Sequence, residues 1–369
     1  MKTGIIGLPQ VGKTSLFQIL TGATLQEGAY ANSREAHVGV VKVPDDRLDR
    51  LAALFNPKKL AHASIEYVDV AAMPTQHSTV AGGGAGLGEA AVANLRNVDS
   101  LVHVLRAFDD PSIPHVGPVD PVRDARNVEF DLMVTDLGQV EKRMERVAKD
   151  LKKMKTPELE REQEVLLRAK ACLESERPLR EMEMTPEEKK RVRGFMFLSE
   201  KPMLYVVNIG ESTTLGDDLE KAVEKHGLKE IASRPNSAAT AICGKVEAEL
   251  AEMGEEEAAE FLGSYGLKES GLVRLIRKTY ELLGLISFFT VGEDECRAWT
   301  IERGTRAVNA AGAIHSDLEK HFIRAEVVHW DQLLELGSES AARAKGTLRL
   351  EGKDYIVKDG DVAHIRHSG

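Results

Sequence analysis

One stretch near the start of the chain, Gly7-Leu8-Pro9-Gln10-Val11-Gly12-Lys13-Thr14-Ser15, has the residue types and spacing of a phosphate-binding loop, G-x-x-x-x-G-K-[ST]. Glycines at positions 7 and 12 let the backbone turn so that successive N–H groups face phosphate oxygens. The helix expected from about Lys13 adds the positive end of its dipole. Lys13 can reach the β- and γ-phosphates as a point charge, a catalytic contribution. The Thr14 hydroxyl is placed to ligate Mg²⁺. The plainer reading is a glycine turn before an ordinary helix. Context favours the loop: Thr3–Gly7 reads as a short buried strand and Thr14–Leu20 as a helix with Leu16, Phe17 and Leu20 on its apolar side.

Other residues able to do chemistry fall at predicted strand ends, where open α/β sheets bind ligands. Asp69 closes the strand Ser64–Val70 and reads as a carboxylate holding Mg²⁺ directly or through water, or else as a plain turn Asp. Asn208-x-x-Glu211 closes the strand Met203–Ile209. P-loop GTPases carry Asn-Lys-x-Asp here, and their Asp accepts from guanine N1–H and the 2-amino group. Glu211 is a methylene longer and Ile209 replaces the lysine, which weakens the case for GTP and leaves ATP open. The segment from Ala71 to Glu89, with Gly82-Gly83-Gly84-Ala85-Gly86-Leu87-Gly88, suits either a nucleotide switch or a flexible linker. His115 sits in a Pro/Gly-rich loop after the strand Leu101–Phe108, and alone it implies only a solvated side chain.

The elements that must position these residues alternate strand and helix, with further strands at Val38–Val43 and from Thr240, so a largely parallel sheet covered on both faces is expected. An insertion follows. Phe130, Met133, Leu137, Val140, Met144, Val147, Leu151 and Met154 form a heptad seam, and Leu159, Leu166, Ala169 and Leu173 a second beyond Thr156-Pro157. The pair predicts an antiparallel helical hairpin. Lys149, Lys152, Lys153 and Lys155 cluster at its tip, either as a solvated face or as an RNA contact. Thr185-Pro186-Glu187-Glu188 is a capping box opening another helix. From Ser287 short β-rich runs, including Ala298–Ile301, Arg324–Val328, Thr347–Leu350 and Tyr355–Val357, surround a helix near Ala307–Lys320 and predict a small α+β domain.

The chain has 369 residues, enough for two or three domains, with 42% hydrophobic and 29% charged residues, as in a soluble protein. No apolar run reaches membrane-spanning length, and the N-terminus lacks a signal-peptide pattern. Cys172, Cys243 and Cys296 are far apart and form no metal-ligand spacing, which suits reduced thiols in the cytoplasm. A formal net charge of −10 argues against a nonspecific nucleic-acid binder but allows a local basic patch.

These residues together resemble the YchF family of ribosome-associated, Obg-related ATPases. The likeness is most specific in Phe288-Phe289-Thr290-Val291-Gly292, Arg297-Ala298-Trp299-Thr300-Ile301, Phe322-Ile323-Arg324-Ala325-Glu326 and Glu351–Val362. It implies a P-loop NTPase (OBG-type) G domain over 1–128 and 200–284, an antiparallel coiled-coil helical arm at 129–199, and a C-terminal ubiquitin-like (β-grasp) TGS domain at 285–369 that contacts RNA or the ribosome. It further implies nucleotide contacts from Gln10, Val11, Gly12, Lys13, Thr14, Ser15, Asn208, Ile209 and Glu211. Mg²⁺ ligands are implied at Thr14, Ser33 and Asp69, and a catalytic role for His115 in place of the usual glutamine. The sequence departs from the family at Gln10, across Tyr30–His37, and at Ala72, where the glycine of D-x-x-G is replaced. The expectation is a cytoplasmic, Mg²⁺-dependent hydrolase preferring ATP over GTP, a slow switch on the ribosome and its RNA, with no membrane contact and a monomeric state favoured. Two rivals stay open: a nucleotide-binding adaptor that no longer hydrolyses, and a GTPase with a relaxed base pocket.

Overall fold

The computed structural model describes residues 1–22, 37–70, 88–114, 117–211 and 219–368. In chain order the first elements are β1 (Lys2–Ile6), α1 (Lys13–Thr21), β2 (His37–Lys42), α2 (Asp46–Phe55), β3 (Lys59–Ala61), β4 (Ser64–Asp69), α3 (Glu89–Arg96) and β5 (Ser100–Ala107). Then come α4 (Pro121–Lys153), α5 (Pro157–Glu174), α6 (Pro186–Val192), β6 (Met203–Ile209), α7 (Leu219–Lys225), α8 (Lys229–Ala232), β7 (Ser237–Ile242), α9 (Gly244–Glu252), α10 (Glu255–Ser264) and α11 (Gly271–Leu282). The last part holds β8 (Leu285–Thr290), β9 (Glu295–Glu302), α12 (Ala307–Ile314), α13 (Ser316–Lys320), β10 (Phe322–His329), α14 (Trp330–Leu336), α15 (Glu339–Lys345), β11 (Arg349–Glu351) and β12 (Asp361–His367). The chain divides into two compact units, one of residues 1–39 and 66–278, the other of 40–65 and 279–369.

The first unit is α/β. Its sheet has the order β2-β4-β1-β5-β6-β7, and β1 pairs in parallel with both β4 and β5, as β6 does with β5 and β7. β6 reads Met-Leu-Tyr-Val-Val-Asn-Ile and is buried along its whole length, as a central parallel strand covered on both faces must be. Parallel order aligns the carboxyl ends of β1, β4, β5 and β6, so Gly7, Asp69, Phe108 and Asn208 emerge on one edge.

α4 is a single helix of 33 residues, capped by Asp120 and opened by Pro121. Its first turns place Ala125, Val128 and Leu132 in the core under the sheet. From Met133 onward the same helix packs on α5 in a separate core with Val140, Val147, Leu166 and Ala169. α5 begins at Pro157 under a Thr156 cap, so the two helices form a hairpin, tied by Arg143 to Glu162 at 2.7 Å and by Lys170 to Glu141 at 2.8 Å. Two predicted seam positions fall outside it: Phe130 is 43% exposed, and Met154 is 67% exposed with extended backbone beyond the helix end. The capping box is formed, Thr185 accepting from Glu188 N while Glu188 accepts from Thr185 N.

Buried charges fasten the hairpin to the sheet. Arg180 pairs with Glu129 of α4 and donates to the Tyr205 hydroxyl of β6, which in turn donates to Glu129 at 3.0 Å. Asp136 of α4 accepts from the N–H groups of Leu198 and Ser199 at 2.9 and 2.7 Å. Burial pushes the Asp136 carboxyl up in pKa, against those donors. Beside this network, His103 of β5 is buried with neither ring nitrogen hydrogen-bonded among the described residues. Burial, reinforced by the charges of Lys13 and Arg180, pushes its pKa down to about 3, so the ring is neutral.

The second unit is also mixed. Its sheet runs β11-β10-β12-β8-β9-β3, with α12 packed on a core of Phe288, Ala310, Ala325 and Val327. The expected strand at Tyr355–Val357 is only an isolated bridge from Ile356 to Arg306, and the expected helix over Ala307–Lys320 breaks at His315 into α12 and α13. The segment 40–65 belongs to this unit. Its β3 pairs in parallel with β9, and Arg47 of α2 meets Asp359 at 2.9 Å. Among the described residues no helix is long and apolar enough to cross a membrane.

Candidate functional site

The turn between β1 and α1 is built as its glycines require. Gly7 has φ 148° and Gly12 φ 97°, both closed to ordinary side chains. A Cβ on Gly7 would lie 2.5 Å from the Val104 carbonyl oxygen, and one on Gly12 would lie 2.7 Å from Asn208 Nδ2. Gln10 also turns left-handed, at φ 61°, a conformation that costs a non-glycine residue. α1 opens at Gly12 with no side-chain cap, so its first N–H groups face outward as donors.

Lys13 is buried against this turn, and its Nζ donates to the Leu8 carbonyl at 2.7 Å. Burial pushes the ammonium down to about 8, while the Asp69 carboxylate, itself buried, pulls the other way. Asp69 stands opposite Ile5 at the end of β4. Thr14 is half-buried on the first turn of α1. The Lys13 ammonium and the Asp69 carboxylate therefore act on each other at the turn, and Thr14 follows Lys13 on α1. The hydroxyl and carboxylate are hard oxygen donors of the kind that suits Mg²⁺.

Beside the turn lies a cleft of about 770 Å³, within the usual range for small-ligand sites. Gln10, Gly12 and Ser15 form one side, and Asn208, Ile209 and Glu211 another. Val11 turns its side chain into the core and takes part through its carbonyl alone. Lys13, Thr14 and Asp69 are not among the residues that line the cleft. Asn208 donates to Val11 O at 3.0 Å and accepts from Gly244 N at 3.0 Å, which ties β6 to the turn and to α9. Glu211 faces Lys245 at 3.6 Å on the open rim. Ser33 and His115, and with them Ala72 and the glycine run, lie outside the described residues, apart from Gly88, which caps α3.

The structure adds wall residues that sequence reasoning did not single out. Ala107, Phe108, Asp109, Asp110 and Ile113 line the cleft from the end of β5, next to Ile209, and Gly244 and Lys245 line it beyond the end of β7. The only local hint was position: both groups follow predicted strands on the edge that carries Asp69 and Asn208.

Comparison with known proteins shows what this chain is similar to. A family profile described as YchF-GTPase_C, protein of unknown function (DUF933), matches residues 285–368. The chain is 42% identical over 368 residues to the ribosome-binding ATPase YchF of Bacillus subtilis (strain 168), covering 99% of each chain. It is 39% identical over 366 residues to the protein of the same name from Escherichia coli O157:H7, covering 99% of this chain and 98% of that one. The solved structure of the Schizosaccharomyces pombe YchF GTPase superposes with a TM-score of 0.81 at 33% identity, covering 99% of this chain and 97% of that one.

Proposed function

The chain belongs to the YchF family, and from that premise we propose that it is a ribosome-associated, Mg²⁺-dependent P-loop hydrolase that takes ATP in preference to GTP and works as a slow switch. The single observation that carries the reading is the convergence just described: an uncapped helix N-terminus, buried Lys13 and Asp69 at the turn, and beside it a cleft of small-ligand size lined by Asn208, Ile209 and Glu211. Thr14 and Asp69, with Ser33, would hold Mg²⁺, which when bound supplies charge neutralisation between the β- and γ-phosphates. Lys13 and the backbone N–H groups of Gln10 to Ser15 would bind the phosphates and stabilise charge developing on the bridging oxygen. His115 would orient the attacking water.

Base preference rests on chemistry, because the relatives' names say ATPase in two cases and GTPase in the third. Ile209 is buried and lines the cleft where the Asn-Lys-x-Asp motif has an ammonium stem, so it offers the base an apolar face. Glu211 is paired with Lys245, so the rim presents a donor beside an acceptor. A lone carboxylate reads guanine's paired N1–H and N2–H donors. Adenine instead offers an amine donor next to a ring acceptor, which the pair can meet as well as guanine's N1–H beside O6, so the selective reading of guanine by a lone carboxylate is lost. Titration with non-hydrolysable ATP and GTP analogues tests this: the expected result is tighter ATP binding, and tighter GTP binding reverses the preference.

The G domain would span 1–128 and 200–284, the coiled-coil arm 129–199 with the α4–α5 hairpin, and the TGS domain 285–369. Lys149, Lys152, Lys153 and Lys155 are all exposed at the hairpin tip, which supports contact with ribosomal RNA there. A cytoplasmic location follows from ribosome binding. One observation favours a second reading. Ala72 stands where a glycine N–H usually meets the γ-phosphate, so the protein would hold ATP and no longer cleave it. Single-turnover assays with ribosomes separate the two, since phosphate release above background excludes the second.

A further inference from the structure

Among the described residues the bulkiest fully buried side chain is a charged one, Arg106, near the end of β5. It makes no salt bridge among them. A buried guanidinium without a carboxylate is costly unless hydrogen bonds replace its water. Here they come from a single loop. Arg106 Nε donates to Phe108 O at 3.2 Å, and Nη2 donates to Asp110 O at 3.3 Å and to Ile113 O at 3.2 Å. The Phe108 ring lies over the guanidinium, 4.4 Å from its carbon. Asp110, whose pKa falls chiefly through its hydrogen bonds from Ser112 and less through the charges of Lys245 and Arg106, keeps its carboxylate on Ser112. Nη1 is buried with no hydrogen-bond partner among the described residues.

The loop held in this way is a partition. Ala107, Phe108, Asp109, Asp110 and Ile113 line the 770 Å³ cleft, and the same five line a second hollow of about 610 Å³ that also takes in Arg106. Arg106 does not line the cleft. Its hydrogen bonds go to main-chain carbonyls only, and among the loop side chains it meets the Phe108 ring. We propose that Arg106 is a positioning residue for the base end of the nucleotide site: it holds the loop Phe108–Ile113 as a preformed wall and does not itself touch the nucleotide. The inference rests on the reading of the cleft as a nucleotide site. A planar fork of donors is needed to reach three carbonyls, and a lysine at the same place supplies charge without the fork.

The test compares the full-length protein with its Arg106→Lys variant. It uses two probes, a fluorescent ATP analogue that fills the whole site and inorganic tripolyphosphate that fills only the phosphate end. Expected is an ATP affinity about tenfold weaker in the variant, with tripolyphosphate affinity unchanged and faster amide exchange confined to 108–113. Equal ATP binding by both proteins overturns the positioning role while leaving the nucleotide reading intact, as does an equal loss for both probes. A wild type that binds neither ATP nor GTP removes the nucleotide reading, and the proposal with it. Should Arg106→Lys not fold, the wild type alone still decides. Slow exchange at 108–113 without nucleotide supports a preformed wall, and exchange at the rate of an open coil overturns it.

Discussion

The Asn208 side-chain amide donates to the Val11 carbonyl at 3.0 Å while its oxygen accepts from Gly244 at 3.0 Å, so both ends of the group are spent on protein. It clamps three strand-end loops together before any base arrives. Asn208→Ala removes both bonds and frees space next to Gly12. We expect a stability loss of about 1–3 kcal/mol, from two broken bonds at a buried position, read by urea unfolding. Phosphate and base binding should weaken together, because the clamp joins both ends of the site. A variant with parental stability and a defect for the base alone would contradict this.

Lys13 gives the site a pH dependence of defined sign. Its pKa is lowered, to about 8, by burial, with Asp69 opposing. Below that value the ammonium is charged and meets the phosphates as a cation. Above it the free protein loses the proton that the bound state must recover. Affinity for ATP should fall as pH rises through about 8, by about tenfold per further unit. Stability without nucleotide should change in the opposite sense: the unfolded chain keeps its Lys proton up to its ordinary value near 10.4, so folding gains between the two values. Calorimetric titrations at pH 7 and pH 9 check the first effect, and a flat profile would contradict it.

Gln10 holds φ 61° at the crest of the turn, where a side chain adds strain and glycine does not. Gln10→Gly should therefore stabilise the protein or leave it neutral, within about 1 kcal/mol, as local strain relief opposes the added chain entropy. Gln10→Asn keeps a polar side chain suited to the left-handed region and should stabilise it slightly. Thermal melts at matched pH read the difference, and a clear drop for both variants would show that the Gln10 side chain makes contacts that matter more than its backbone.

Glu129 and Arg180 are a buried ion pair with a tyrosine hydroxyl between them. Glu129→Ala leaves the guanidinium uncompensated and should cost about 3–5 kcal/mol. Replacing both partners by apolar residues of like volume should cost much less, so the double variant should be more stable than the single one. Denaturant unfolding of the four proteins of the cycle measures the coupling.

How far these features could be read in advance follows the range over which each is determined. Gly7, Gly12, Lys13 and the strand ends at Asp69 and Asn208 were legible because a turn, a helix start and a strand are decided by neighbouring residues. Ser64 and Met203 open their strands where the apolar runs begin. Phe130 and Met154 fitted the heptad spacing but not the partner helix, since spacing says nothing about where the partner ends. Arg106 was hidden inside Leu-Val-His-Val-Leu-Arg-Ala-Phe: a buried arginine is tolerated only because the next loop folds its carbonyls back over the guanidinium, and residue types alone do not announce that turn. Asp361–His367 alternates too weakly to read as the strand it is.

The allegiance of residues 40–65 is the least local feature of all, and it yields the last prediction. α2 and β3 lie early in the chain but pack in the second unit, where β3 covers the edge of β9. Asp359 accepts from Arg47 at 2.9 and 3.2 Å and from Ser287 N at 3.0 Å, and Arg47 stands 5.3 Å over the Phe289 ring. An expressed fragment 285–369 keeps five strands but loses all of this: β9 becomes a bare edge, and Asp359 keeps only its backbone donor. The fragment should self-associate or melt broadly, whereas the same residues in the full chain unfold cooperatively. Asp359→Ala in the full chain isolates the polar part of the effect. Because both side chains are partly exposed, it should cost only about 1 kcal/mol. Circular dichroism melts and sedimentation of the fragment settle the point, and a monomeric fragment with a sharp transition would show that the C-terminal sheet stands without its early-chain strand and helix.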